Sequence, residues 1–441
     1  MIKGLRGLLL TTWLMSTSTM AADFSKFEQL AGSLEQKDKA MLAVAVRQNG
    51  KLIFEHYTGL ASLKPEQEAN RDSTYRFGSV SKVFVATMTL QAVEEGKLSL
   101  EHKLSQFFPD VPNASRISIE HLLNHRSGVF NFTDAPDYPL YMTQSKSREA
   151  LLSIIRGFEP VFEPGEKHDY SNSNYVLLSL ILEQLYDMEL ARLLEMKIAK
   201  PLKLTHTRLG IGSQNSPNDV TSFRFLDKWQ EMPRTDLSIP MGAGAVISNV
   251  KDISHFLTQL FAGKLISDES LAKMKSMKDG YGLGLMAFPF YERWGLGHGG
   301  AIDGFLSNAA YFEDEKLAIS VISNGLNYNF NDVLIALLSS YYDKPFDLPD
   351  LERQPVRLAS DTLAAYTGEF ASKTLPMDIQ VFVDNGRLMG QATGQQAFEL
   401  TPYSTEEFHF EAAGIVMHFN ASKTEFVLVQ GGGRFRFSRK P

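Results

Sequence analysis

No cysteine occurs among the 441 residues. Disulfides, thiolate zinc sites, a cysteine nucleophile and a lipidated cysteine anchor are therefore excluded. A lysine- or arginine-rich run is missing as well. The formal net charge of -7 is spread along the chain and argues against a nucleic-acid partner. Beyond the N-terminus no stretch reaches about 18 consecutive apolar residues, so no integral membrane domain is expected there. Internal repeats and long low-complexity segments are absent. What is present is an apolar fraction of 44%, ordinary for a folded chain, on a length that suits two or three domains.

The first 22 residues differ from the rest. Lys3 and Arg6 precede an apolar stretch from Leu8 to Met15, then small residues and Ala21-Ala22. This is the layout of a secretory signal peptide cleaved near Ala21 or Ala22, and the apolar stretch is short for a retained membrane anchor. The expectation is a protein exported to the periplasm or secreted.

Met41 to Val46 and Leu52 to Tyr57 are strand-like runs flanking Asn49-Gly50, the signature of a tight hairpin. Val83 to Val93 is helix-compatible and stops at Gly96. From there to about residue 275 the pattern reads as mostly helical. Asn249 and Asp252 cap a helix over Ile253 to Phe261. Strand-like runs return at Gly295 to Ile302, Phe305 to Phe312 and Leu317 to Ile322, followed by a helix-like run from Val333 to Tyr342. Strands at both ends with helices between predict an α/β (α+β) fold: one mostly antiparallel sheet covered by helices. Pro345, Pro349 and Pro355 mark a linker, and short strand-like runs beyond residue 365 predict a separate all-β domain, a small barrel or sandwich. The expected boundaries are a signal peptide over 1–22, a first domain over 23–345, a linker over 346–360 and a β-barrel-like domain over 361–441.

Three short patterns carry chemistry. In Ser79-Val80-Ser81-Lys82, residues three apart share a helix face, which sets an amine beside a hydroxyl. A lysine leading into the apolar Val83-Phe84-Val85-Ala86 loses its charge more easily and suits a base. The pattern alone is weak, because Ser248-x-x-Lys251 and Ser270-x-x-Lys273 share it. Tyr170-Ser171-Asn172 follows a turn at Glu163-Pro164-Gly165; a phenol near a lysine is an acid or base, and an amide beside it orients a carbonyl. The bland alternative is a loop tyrosine before an N-cap asparagine. His298-Gly299-Gly300 lies in an expected strand, whose glycines permit close approach of another backbone or a ligand. Substrate can then add along this edge, with the Ala301 N–H aimed at an oxyanion. The alternative is a bulge. His121 and His125 are four apart and could face a metal, but no third ligand stands at a convincing spacing.

Taken together, the three patterns resemble in order and spacing those of the penicillin-recognising serine hydrolases: Ser-x-x-Lys, Tyr-x-Asn, and Lys-Thr-Gly or His-x-Gly. Leu122-Leu123-Asn124-His125-Arg126-Ser127-Gly128, Pro164-Gly165 and Gly242-Ala243-Gly244 resemble further segments of that group, and the likeness spans roughly residues 40 to 342. Neither Ser-Asp-Asn nor Lys-Thr-Gly occurs; Tyr-x-Asn resembles the class C β-lactamase and D-alanyl-D-alanine carboxypeptidase branch, and the His-x-Gly form resembles that of the carboxypeptidases, D-aminopeptidases and some esterases within it, which points away from β-lactamase activity. Tyr366-Thr367-Gly368-Glu369-Phe370 resembles the start of the small barrels attached to some members. The resemblance implies acylation of Ser79, with Lys82 and Tyr170 moving protons in an undivided way. Asn172 would orient substrate, and the Ser79 and Ala301 N–H groups would form the oxyanion hole. His298 would bind a substrate carboxylate or assist proton transfer, with Gly299 and Gly300 lining the substrate edge. No metal or organic cofactor is implied. The implied partner is a small-molecule or short-peptide acyl substrate, with possible β-lactam binding. A peptidase or amidase is the first expectation. A carboxylesterase, a class C-type β-lactamase, and an inactive penicillin-binding sensor or scaffold are the alternatives.

Overall fold

A computed structural model describes residues 22–212, 216–410, 414–430 and 433–440. The proposed signal segment up to Ala21 lies outside the described residues.

Asn49 and Gly50, at φ 49° and 80°, make the tight turn expected between strands Ala40–Gln48 and Lys51–Tyr57. The first of these does not end a sheet. It sits inside one, antiparallel on its other side to Leu317–Leu326. The sheet continues through Phe305–Phe312, Arg293–Ile302 and Met286–Phe290, every neighbour antiparallel. Both ends of the first domain thus build one sheet.

This sheet's central strands are buried on both faces, so they are largely apolar, with Ser307, Asn308, Ser320, Ser323 and Asn324 as buried polar exceptions. Along Ala40–Gln48, Ala43 and Ala45 pack toward the helical region, while Leu42, Val44 and Val46 pack into a second core. Helices Ser25–Gln36 and Phe330–Tyr341 cover that second core. Opposite them lie the two helices that matter for the site. Ser81–Glu94 is buried on nearly every side, as a helix apolar all round must be, and Phe84 stacks on Phe256 of helix Val250–Phe261 at 3.8 Å. Asn172–Tyr186 is buried likewise over Ser173 to Leu182.

The mostly helical reading of residues 97–275 needs correction. A hairpin of Phe223–Phe225 and Trp229–Glu231 joins the main sheet, and Tyr75–Arg76, Val246–Ser248 and Arg208–Leu209 form a separate small sheet. These strands are two or three residues long, too short to show alternation. The N-terminal helix and strand Met286–Phe290 were also missed.

Among the described residues after 365 the structure is all-β, with nine short strands around a core of Tyr366, Phe370, Phe408, Phe419, Phe426 and Phe437. The strands at its two ends, Phe398–Glu399 and Thr401–Pro402, are separated only by Leu400, so the chain itself nearly closes the sheet into a barrel.

Candidate active site

Ser79 lies in a single 3-10 turn, Gly78–Val80, which runs directly into helix Ser81–Glu94. One turn on, the fully buried Lys82 returns beneath it, with Nζ 3.0 Å from Ser79 Oγ. The other two Ser-x-x-Lys patterns lack this arrangement. Ser248 is fully buried on a strand against Thr207, and Lys273 pairs with Glu269 on an exposed helix face.

Lys82 Nζ has two further partners, Asn172 Oδ1 and the Ala243 carbonyl, both at 2.8 Å. Neither oxygen can donate, so each takes one N–H. Burial pushes the amine well below its ordinary range. In the neutral amine the third position, facing Ser79 Oγ, is the lone pair. That is the geometry of a base.

The orientation of the Asn172 amide is itself determined. Its backbone N–H can only donate, and meets Asn131 Oδ1 at 2.9 Å. That oxygen also accepts from Thr133 Oγ1 at 3.0 Å, so the threonine oxygen is left to accept from Asn172 Nδ2 at 3.0 Å. Oδ1 must then face Lys82. Asn172 is the first residue of its helix, and Ser171 is the N-cap. Each amide end has one partner inside the protein, which leaves a second Nδ2 N–H and a second Oδ1 lone pair for the expected hold on substrate.

The Tyr170 phenol hydrogen-bonds the Ser79 side chain, and burial pushes it well above the ordinary tyrosine range. Its ring lies 4.8 Å from Lys82 Nζ. Ser79 Oγ therefore lies between an amine whose charge burial disfavours and a phenol whose proton burial retains.

The third motif lies on strand Arg293–Ile302. Two hairpins with two-residue loops close at Phe290↔Arg293 and Ile302↔Phe305. Such closing pairs exchange backbone hydrogen bonds. Arg293 therefore faces Met286–Phe290, Ile302 faces Phe305–Phe312, and counting in twos places the backbone groups of Gly299 and Ala301 on the former side. Strand Met286–Phe290 stops opposite Gly297, so that edge is open at Gly299 and Ala301. Ala301 is an exposed residue, and by the same count its N–H points along this edge.

The edge sits hard against the Ser79 turn. A Cβ on Gly300 would lie 2.1 Å from the Phe77 carbonyl oxygen and 3.1 Å from Ser79 N; one on Gly78, at φ 53°, would lie 2.9 Å from Ala301 N. Only glycines allow the two backbones to meet. Ser307 Oγ ties the next strand to the same Phe77 carbonyl at 2.9 Å.

His298 differs from expectation. Its side chain is buried, burial lowers its pKa to about 3, and both ring nitrogens are engaged, by Tyr281 Oη at 2.9 Å and the Gly299 carbonyl at 2.5 Å. The neutral ring offers no charge or free nitrogen to a carboxylate. His121 and His125 do not share a helix face either. The helix Ile119–Leu123 ends first, and His125 turns to φ 58° and is buried against Tyr170 and Tyr281. Asn131, Thr133 and Tyr281 were missed by sequence reasoning. Tyr281, set off by Gly282 and Gly284, was the one with a visible signal.

A family model described as Beta-lactamase matches residues 27–339, which contain all three motifs. Penicillin-binding protein 4* of Bacillus subtilis is 24% identical over 92% of this chain and 96% of its own length. The teichoic acid D-alanine hydrolase of Staphylococcus aureus is 25% identical over 66% of this chain and 74% of its own. Among solved structures, the D-amino acid amidase from Ochrobactrum anthropi SV3 superposes with a TM-score of 0.66 at 22% identity, covering 72% of this chain and 98% of that one. An octameric penicillin-binding protein homologue from Pyrococcus abyssi gives 0.68 at 19% identity, over 94% and 99%. At these identities the two structures speak for the fold alone.

Proposed function

We propose that this chain, which belongs to the beta-lactamase family of serine hydrolases, cleaves amide bonds of small D-amino-acid substrates through an acyl-enzyme on Ser79. The observation that carries the reading is the Lys82 amine, with two N–H groups committed to acceptors and its third position 3.0 Å from Ser79 Oγ.

The division of proton transfer follows from the two buried groups. Lys82, neutral, takes the Ser79 proton as Oγ attacks the carbonyl carbon. The carbonyl oxygen gathers charge between the Ser79 and Ala301 N–H groups. As the C–N bond breaks, the Tyr170 phenol gives its proton to the leaving nitrogen and recovers one from Lys82. Water then repeats the sequence on the ester. An amine leaves only when protonated, and a phenol with a raised pKa always holds the proton it needs, which favours amides over activated esters as the task this site is built for.

The relative named as a teichoic acid D-alanine hydrolase supports the D-amino-acid part. Export belongs to the same proposal: the N-terminal pattern fits it, and among the described residues no helix is long and apolar enough to cross a membrane. So do the domain limits of 23–345, 346–360 and 361–441, which the separate aromatic core after residue 365 supports. An inactive scaffold has no use for an uncharged lysine aimed at a serine.

The test is a screen of D-amino acid amides, D-Ala-D-Ala peptides, short acyl esters and a chromogenic cephalosporin against wild type and Ser79→Ala. Turnover of the amides, its loss in Ser79→Ala, and a fluorescent penicillin or fluorophosphonate mapped to Ser79 are expected. Turnover of cephalosporin or esters alone would move the assignment to a β-lactamase or carboxylesterase. A label on Ser248 or Ser270 would refute the nucleophile.

A further inference from the structure

A buried chain of side chains joins the second motif to the third, and the direction of each of its hydrogen bonds can be worked out. The Ser171 backbone N–H can only donate, and reaches His125 Nδ1 at 3.1 Å. Asn174 Nδ2 lies 3.3 Å from the same nitrogen. Its amide is oriented because Asn174 Oδ1 accepts from Ser127 Oγ at 2.6 Å, whose own oxygen accepts from Val129 N. Nδ1 of His125 is thus an acceptor, and the ring proton sits on Nε2, 3.1 Å from Tyr281 Oη. At the far end the Gly299 carbonyl can only accept, so His298 carries its proton on Nδ1. Its Nε2 then needs a donor, and Tyr281 Oη is 2.9 Å away. The Tyr175 hydroxyl also adjoins Tyr281, but it spends its proton on the Leu123 carbonyl at 2.7 Å. Were Tyr281 to donate there instead, His298 Nε2 would face a lone pair.

We propose that Tyr281 is a positioning residue, which holds His125 and His298 in opposite neutral tautomers and thereby fixes the open edge that carries Ala301. Accepting from one imidazole and donating to the other, its hydroxyl completes a relay from the Ser171 N–H to the Gly299 carbonyl. That carbonyl and the Ala301 N–H face the same open edge, two residues apart. No ladder bond from Met286–Phe290 reaches them, since that strand ends opposite Gly297. The His298 clamp on Gly299 takes the place of the missing bond. The ionisable groups facing the relay are Lys82, Tyr170, Tyr175 and His168, whose ring is 5.4 Å from that of Tyr281. None is a carboxylate that would favour an imidazolium.

The inference rests in part on the proposed function, and its test separates the two. Long-range nitrogen–proton spectra of histidine-labelled protein at neutral pH should show His125 protonated on Nε2 and His298 on Nδ1. In Tyr281→Phe, which keeps the ring, His298 should become a mixture of tautomers, and Ser79 acylation by a fluorescent penicillin should slow ~10- to 100-fold, as misplacement of a reacting group does. The melting temperature should change little. A wild-type His298 protonated on Nε2, or scrambled tautomers with unchanged acylation, would overturn the relay. Should Tyr281→Phe fail to fold, the wild-type spectrum still decides. Failure of wild type to acylate with any probe would overturn the function and leave the tautomers to the spectrum.

Discussion

Replacing Thr133 with valine keeps the shape of the side chain and removes one hydroxyl. That hydroxyl is the hinge of the argument for a basic lysine, because it donates to Asn131 Oδ1 and accepts from Asn172 Nδ2, both at 3.0 Å. Without it Nδ2 has lost its acceptor, at a cost of roughly 1–3 kcal/mol in the present orientation. The amide can escape that cost by turning over, which sets Nδ2 against Lys82. The lysine lone pair then accepts from Asn172, and Ser79 has no base. A shift of 1–3 kcal/mol between the two orientations corresponds to about a 5- to 150-fold slower acylation. Stopped-flow acylation with a fluorescent penicillin at neutral pH measures it, and Thr133→Ser, which restores the hydroxyl, should act close to wild type. If Thr133→Val and Thr133→Ser acylate at the same rate with unchanged melting temperatures, the amide orientation does not govern Lys82 and the reasoning fails.

Tyr170→Phe should lower amide turnover ~100- to 10,000-fold, the range for a general acid or base, with nitrophenyl esters affected least; normal turnover of an amide would remove the phenol from the mechanism. Gly300→Ala must push a Cβ into the Phe77 carbonyl, which as backbone cannot swing aside, so the edge should part from the Ser79 turn and acylation fall by about 100- to 1,000-fold, as for a lost oxyanion donor; acylation at the wild-type rate would show that the two backbones need not touch. Unfolded histidine takes its proton near pH 6.5, whereas burial holds folded His298 neutral down to about 3. The stability this lends is complete above about pH 6.5 and is lost as pH falls toward 3, at about 1.4 kcal/mol per unit. Thermal melts should steepen with acid below pH 6.5 in wild type and less so in His298→Gln; identical slopes would place the acid sensitivity elsewhere.

Features set by adjacent residues were readable in the sequence: the Asn49-Gly50 hairpin, the helix after Ser79 ending near Gly96, the Asn249 cap and the three strands from Arg293 onward. Ser79, Lys82, Tyr170, Asn172 and the Gly299–Ala301 edge are brought together as their motifs suggested. The groups that orient them were not readable. Asn131 and Thr133 sit at a short 3-10 turn 41 and 39 residues before Asn172, and nothing local marks them as its partners. The engagement of both His298 ring nitrogens was not readable either, because a histidine beside two glycines looks available and only the fold shows it closed over by Tyr281. Two- and three-residue strands such as Phe223–Phe225 exist because a neighbouring edge is there to pair with, which no local pattern reveals.

The central place of Ala40–Gln48 in the sheet bears on how the protein is made. Its partner Leu317–Leu326 and the Ala301 edge leave the ribosome long after Ser79 does. Pairing across so much intervening chain is slow, and its loop-closure entropy must be met before any contact repays it. A nascent chain therefore holds the serine, the lysine and the sequence of the helix that follows them while still lacking the strand that carries Ala301. Hydrolytic capacity arrives late and all at once, with the last strands of the sheet. A fragment cut short before residue 300 lacks both the Ala301 N–H and the strand that sets it against the Ser79 turn.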